Sequence, residues 1–186
     1  AIELIKQRCD ERGLTLVIRD WTHLDFTGWP HIGKPAYKLT TAKTLSRRFR
    51  VISSASVRHP VDQWLSFRES QSWTGKELTL DRYLYGYRKF AEHAAKIGYI
   101  RYEDFLDKPA LILEKLCNRL GIPFDPLFSE KWIDYKWITT ATRARDGGSA
   151  ISKRPRRQVD TELLESFSQN KDYRFATELL GYGHPF

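Results

Sequence analysis

Arg58 and Ser66 are the two residues whose types and spacing best suit the binding of an anion. Arg58 ends a short, largely apolar run at 51–57 that is typical of a buried strand, and Pro60 is placed to begin a helix. Such a junction presents free backbone N–H groups to a ligand, and the guanidinium adds donors. Ser66 lies about 9 Å further along the helix, so the pattern predicts an anion beside its first turns. The alternative is that Arg58 pairs with an acidic neighbour and Ser66 bonds back to a carbonyl.

The remaining sequence predicts the elements that would position these two residues. Strands are expected where short apolar runs end in polar residues, at 14–18, 51–57 and 99–102. Helices are expected from apolar residues at helical spacing, at 1–12, 41–48, 60–70, 80–95, 110–120 and, as one or two helices, 159–180. This order predicts an α/β fold with a parallel sheet flanked by helices, and such sheets bind ligands at the carboxyl ends of their strands.

Composition favours a single domain with an acidic ligand. The chain of 186 residues has 31 Lys and Arg against 23 Asp and Glu, a net charge of +8. The charges are mixed along most of the chain, and the basic residues cluster in one loop, at 139–157. Cys9 and Cys117 have no ligand-like spacing, and no segment looks like a signal or a membrane span, so we expect a cytoplasmic protein with no metal.

The stretch that carries Arg58 resembles a known nucleotide-binding segment. Arg58, Pro60, Asp62 and Ser66 match, in type and spacing, the 3′-phosphate-binding segment of sulfotransferases that use 3′-phosphoadenosine 5′-phosphosulfate (PAPS). The resemblance implies that Arg58 and Ser66 hold the 3′-phosphate of PAPS. It also implies a three-layer architecture like that of the P-loop nucleotide kinases.

A second block extends the resemblance. The run YIRYEDFLDKPALILEKLCNRLGIPFD is similar to the family's strand, Tyr-Glu-Asp turn and helix, and it implies that Tyr102 approaches the adenine. Tyr102 could equally be a core aromatic. A late basic loop covers the nucleotide in that family, which implies contacts from residues such as Lys153 and Arg154, whereas the alternative is a solvated basic loop. The other basic residues of that loop are Arg143, Arg145, Arg156 and Arg157.

Sulfuryl transfer also needs a base to deprotonate the acceptor, and His23 is the first candidate. A histidine near pKa 6.5 titrates where a base is useful. Thr22-His23 is similar to a Thr-His pair that follows a strand in sulfotransferases of the cytosolic type, although the interval from His23 to Arg58 is longer here. Other branches use a carboxylate, which would be Asp20 or Asp25, and a structural His23 stays open.

One part of the family pattern is missing from the sequence. Residues 1–186 resemble a single sulfotransferase domain without its first strand and its loop for the 5′-phosphosulfate, so we expect weak nucleotide binding and little turnover. The expected acceptor is a small molecule or carbohydrate that enters between residues 21–37 and 132–137, with no nucleic acid as partner. Two alternatives stay open: an inactive relative, and a non-catalytic module that binds RNA or another polyanion through the basic loop.

Overall fold

A computed structural model describes residues 1–74, 77–131, 151 and 155–183. These residues form a mixed α/β fold that is mostly helical, with a two-stranded parallel sheet. The strands are β1 (Ala55–Val57) and β2 (Tyr99–Arg101). The helices are α1 (Ile2–Glu11), α2 (His23–Phe26), α3 (Thr40–Leu45), α4 (Pro60–Thr74), α5 (Leu80–Ile97), α6 (Tyr102–Asp107), α7 (Pro109–Leu120), α8 (Phe128–Lys131), α9 (Thr161–Gln169) and α10 (Lys171–Leu179).

The two strands lie side by side, with Ala55 paired to Tyr99 and Val57 to Arg101. Helices α4 and α5 connect them, as a parallel pair requires. The register places the residues that follow the strands, Arg58 and Tyr102, next to each other at one edge of the sheet.

Helix α5 is the centre of the core. Thr79 caps its first turn by accepting a hydrogen bond from the Arg82 N–H, and the apolar face predicted for 80–95 is buried as expected. Tyr83, Leu84, Tyr87, Ala91 and Ala94 pack there, and α10 lies against the same helix. The C-terminal helices therefore complete the core that supports the sheet.

Most of the predicted helices are confirmed by the structure. Helix α4 begins at Pro60, and α7 begins at Pro109 and ends at Gly121, whose φ of 66° lies in the left-handed region that glycine tolerates. The described part of the chain contains no helix that is both long and apolar enough to span a membrane.

The strand predicted at residues 14–18 is wrong. Residues 14–18 contain no strand, and no other segment among the described residues pairs with them. Leu14 and Val17 are 57% and 62% exposed, far from the burial that their apolar pattern indicates. The same holds at the start of the predicted strand 51–57, where Val51 and Ile52 are exposed and pairing begins only at Ala55. The general α/β class is confirmed, whereas the three-layer architecture stays a prediction.

Candidate functional site

Arg58 and Tyr102 meet at the carboxyl ends of the paired strands. The Arg58 guanidinium carbon lies 5.3 Å from the centre of the Tyr102 ring, a cation–π distance. No carboxylate of the described residues lies within ion-pair distance of Arg58, so the acidic partner considered from sequence is not observed. Tyr102 is 41% exposed rather than a core aromatic. The pair therefore presents a cation and a ring to solvent, and both can contact a ligand.

The backbone beneath this pair is held by side chains from three other elements. Tyr87 of α5 donates a hydrogen bond to the Arg58 carbonyl oxygen at 2.6 Å. Glu103 accepts one from the His59 backbone N–H and one from the Tyr182 hydroxyl, both at 2.8 Å. Because these bonds join the strand ends to α5 and to the C-terminal segment, the base of Arg58 is fixed.

His59 follows Arg58 but is a buried structural residue. Its Nδ1 accepts from the Val61 N–H at 3.3 Å, and its ring packs edge-on against Tyr173 and Tyr182. Burial, together with the positive charge of Arg156, lowers the pKa of His59 to about 4. His59 is therefore neutral at pH 7 and inaccessible to a substrate.

Ser66 lies two turns into α4, on a helix that the late basic segment contacts. Asp62, Leu65 and Ser66 share a face by their spacing of three and four residues. Arg156 pairs with the Asp62 carboxylate at 3.3 Å, and Arg157 donates to the Leu65 carbonyl oxygen at 3.1 Å. Two arginines of the predicted loop thus reach this part of α4. The predicted residues Lys153 and Arg154 lie outside the described residues, as does segment 132–137.

His23 begins helix α2 and is half-buried between aromatic rings. Its ring centre lies 5.7 Å from that of Trp21 and 6.1 Å from that of Phe67. Burial lowers the pKa of His23, and the neighbouring His31 lowers it further. The neutral imidazole that a general base requires is therefore favoured at pH 7.

The two carboxylates near His23 have different surroundings. Asp25 accepts hydrogen bonds from the Thr40 N–H at 2.8 Å and from the Thr40 hydroxyl at 2.6 Å, so its carboxylate holds the start of α3. Asp20 is exposed and lines the same cavity as His23. Of the two alternative bases, Asp20 is the one open to a substrate.

That cavity has a volume of about 930 Å³ and runs between residues 14–23 and residues 49–56. Every residue of these two ranges lines it. Gln63 and Phe67 of α4 also line it.

The predicted site residues therefore fall into two groups. Arg58 and Tyr102 meet at the sheet edge, while His23 and Asp20 share the cavity, which neither Arg58, Tyr102 nor Ser66 lines. Helix α4 connects the groups, since Ser66 precedes Phe67, whose ring contacts His23. Three or more clustered potential metal ligands do not occur in the described ranges.

A glycine sets the position of the His23 loop. A Cβ on Gly86 of α5 would collide with the carbonyl oxygen of Phe26, the last residue of α2. Arg82, one turn earlier, donates to the carbonyl oxygens of Thr27 and Ile32 at 2.9 and 2.7 Å. The backbone after His23 thus rests directly on α5, which the sequence did not indicate.

Comparisons with known proteins give little beyond this geometry. No protein-family model matches the sequence, and no curated protein matches it significantly. One similar solved structure is a sulfotransferase domain from the curacin biosynthetic pathway, with a TM-score of 0.43 and 18% sequence identity. The match covers 82% of this chain and 62% of that domain, so the chain spans less than two thirds of the domain's length.

Proposed function

We propose that this chain is a sulfotransferase module that binds PAPS at the sheet edge and transfers its sulfuryl group to an acceptor in the cavity. The observation that carries the proposal is the juxtaposition of Arg58 and Tyr102, with the guanidinium 5.3 Å from the ring centre and no carboxylate paired to it among the described residues. A nucleotide has the two features that such a pair recognises, an anionic phosphate and a flat aromatic base.

In this proposal Arg58 and the Ser66 hydroxyl bind the 3′-phosphate, and Tyr102 lies against the adenine. The contacts of Arg156 and Arg157 with α4 support this assignment, since they bring two further cations to the helix of Ser66. Lys153 and Arg154 belong to the same basic segment, and we propose that they add to the phosphate contacts. A site with several guanidinium groups favours a dianionic phosphate over a neutral ligand.

His23 is the proposed general base. Its neutral imidazole accepts the proton of the acceptor hydroxyl or amine as the acceptor atom bonds to sulfur. The bond between sulfur and the bridging phosphate oxygen breaks, and adenosine 3′,5′-bisphosphate leaves. Asp20, exposed in the same cavity, is the alternative base. The lowered pKa of His23 supports the first assignment, because it keeps the imidazole unprotonated at pH 7.

The cavity also supports the proposal that residues 1–186 are one domain from which a strand and a phosphate loop are missing. The exposed side chains of Val17 and Ile52, which both line the cavity, are surfaces that an inserted strand would cover. A loop at the end of such a strand would reach the carboxyl edge, where Arg58 and Tyr102 lie.

Ligand-induced stabilisation tests the proposal. Adenosine 3′,5′-bisphosphate at 100 times its Kd should stabilise the fold by about 2.7 kcal/mol, measured as a rise in the unfolding midpoint. Arg58→Ala should abolish the rise, because it removes the phosphate-binding cation. His23→Ala should retain it, because His23 contacts the acceptor and not the nucleotide.

Arg68→Ala is the matched control, since it removes the same charge from an exposed position of α4. An Arg58→Ala protein that responds to the bisphosphate as the parent does would contradict the site assignment.

A further inference from the structure

A second groove, of about 470 Å³, lies beside helix α3 and has a mixed lining, with apolar Leu39, Ala42 and Val51 beside polar and cationic side chains. Ala42 and Lys43 line it from α3, and Leu39 and Ser46 line it from the residues that flank this helix. Lys38 precedes the helix, and Ser53 and His93 complete the polar lining. None of the described residues that line the groove carries a carboxylate.

The sequence around the groove has an excess of basic residues, although the Asp25 carboxylate bonds Thr40 next to the groove and Glu3 pairs with Arg48. Between Asp25 and Asp62 the sequence contains no acidic residue, yet it contains seven basic ones: Lys34, Lys38, Lys43, Arg47, Arg48, Arg50 and Arg58. Neither Lys38 nor Lys43 has an ion-pair partner in the part of the chain that the structure describes. Two unneutralised ammonium groups beside two hydroxyl side chains favour an anion such as a sulfate, phosphate or carboxylate.

The backbone beside Lys38 is fixed rather than free. The Tyr37 N–H donates to the Asp25 backbone carbonyl oxygen at 2.9 Å, and the Tyr37 ring packs edge-on against Tyr85. The His93 Nε2–H donates to the Tyr37 carbonyl oxygen at 3.1 Å, because a carbonyl can only accept. This bond leaves Nδ1 as the remaining polar atom of the ring that lines the groove.

The groove is continuous with the cavity that contains His23, since Leu39, Ala42, Val51 and Ser53 line both. A molecule in the cavity could therefore extend one substituent into the groove. We infer that the groove is a subsite for an anionic group, a sulfate, phosphate or carboxylate, on the acceptor. That the bound molecule is a sulfuryl acceptor rests on the function proposed above, whereas the anion site rests on the lining of the groove itself.

A pair of sugars that differ in one sulfate tests this inference. N-acetylglucosamine 6-sulfate should bind at least tenfold more tightly than N-acetylglucosamine in an NMR titration of the full chain. The double variant Lys38→Ala/Lys43→Ala should remove that preference. The control Lys108→Ala/Lys115→Ala removes the same charge from exposed positions that line neither cavity, and it should keep the preference.

Equal binding of the two sugars by the parent, or an equal loss in the control, overturns the inference. A twelve-residue uridine oligonucleotide that binds more tightly than the sulfated sugar, and loses affinity in Lys38→Ala/Lys43→Ala, also overturns it in favour of nucleic acid. Adenosine 3′,5′-bisphosphate should stabilise the groove variant as it does the parent. If the bisphosphate stabilises no form of the protein while the sugar preference holds, the proposed function fails and the anion subsite stands.

Discussion

The two halves of the molecule differ in how completely they are packed. Around α5, side chains such as Leu84 and Phe167 have no exposed surface, and α10 covers the helix. Around residues 1–22 the opposite holds: α1 buries none of its residues, and Val17 and Trp21 are mostly exposed. The packed half supports Arg58 and Tyr102, whereas the open half carries Asp20 and one wall of the cavity.

This difference separates binding from chemistry in the proposed function. The proposed nucleotide-binding pair directly follows two strands that are already paired, and Tyr87 and Glu103 hold the backbone there. The proposed base lies beside a cavity whose wall at residues 14–23 is paired with no strand of the described residues. We therefore expect the present residues to bind a nucleotide more readily than they turn it over.

The largest expected effect is a contrast between two identical substitutions. Leu84→Ala should lower the free energy of unfolding by about 2–5 kcal/mol, because it leaves a cavity in a packed core. Leu14→Ala should change it by no more than about 0.5 kcal/mol, because 57% of Leu14 is already exposed. Urea unfolding of both variants measures the difference. Similar losses would show that residues 14–18 are packed in solution.

A second contrast concerns pH. The pKa of His59 is lowered to about 4, whereas the unfolded chain binds a proton near pH 6.5. The contribution of the neutral His59 ring to the free energy of unfolding is therefore fully present above pH 6.5 and is lost as the pH falls to 4. It amounts to on the order of 3 kcal/mol. Urea unfolding at pH 7 and pH 4 measures this loss.

The control for that measurement is His59→Asn, whose amide oxygen can still accept the Val61 N–H while the titrating group is gone. The variant should lose less stability between the two pH values than the parent does. His23→Asn should alter the pH dependence less, because His23 is only half-buried. An unchanged profile in His59→Asn would contradict the assignment of the buried neutral ring.

The smallest expected effect concerns the connection from the C-terminal segment to the strand ends. Tyr182→Phe removes the hydroxyl that donates to Glu103, and it should cost about 1–2 kcal/mol because the acceptor is a carboxylate. Tyr85→Phe is the matched control, since that side chain is exposed and should lose little. Thermal unfolding of the two variants would give equal midpoints if the bond to Glu103 did not contribute.

Local signals in the sequence were enough to predict the longer helices. Pro60, Thr79 and Gly121 mark helix ends by their own backbone chemistry, so α4, α5 and α7 could be predicted, whereas the short helices α2 and α6 were not. Arg58 follows one predicted strand, Tyr102 is the last residue of another, and the ends of neighbouring parallel strands adjoin. Their proximity was therefore predictable, whereas their assignment to a nucleotide stays a prediction.

Features that depend on distant partners could not be predicted. Residues 14–18 have the pattern of a buried strand, but a strand forms only where a second extended segment pairs with it. The choice between Asp20 and Asp25 depends on where Thr40 lies. The basic residues of 26–61 are visible in the sequence, but the sequence does not indicate that Lys38 and Lys43 line one groove beside α3.

Gly86 allows the backbone of α2 to lie directly against α5. Since α5 has no side chain at that residue, one added methyl group would push the backbone of α2 away from α5. It would displace the backbone of Phe26, three residues after His23, without adding an ionisable group. The distance from the proposed base to its acceptor thus depends on Gly86, a residue that takes no part in proton transfer. A substitution at Gly86 would be a way to change that distance.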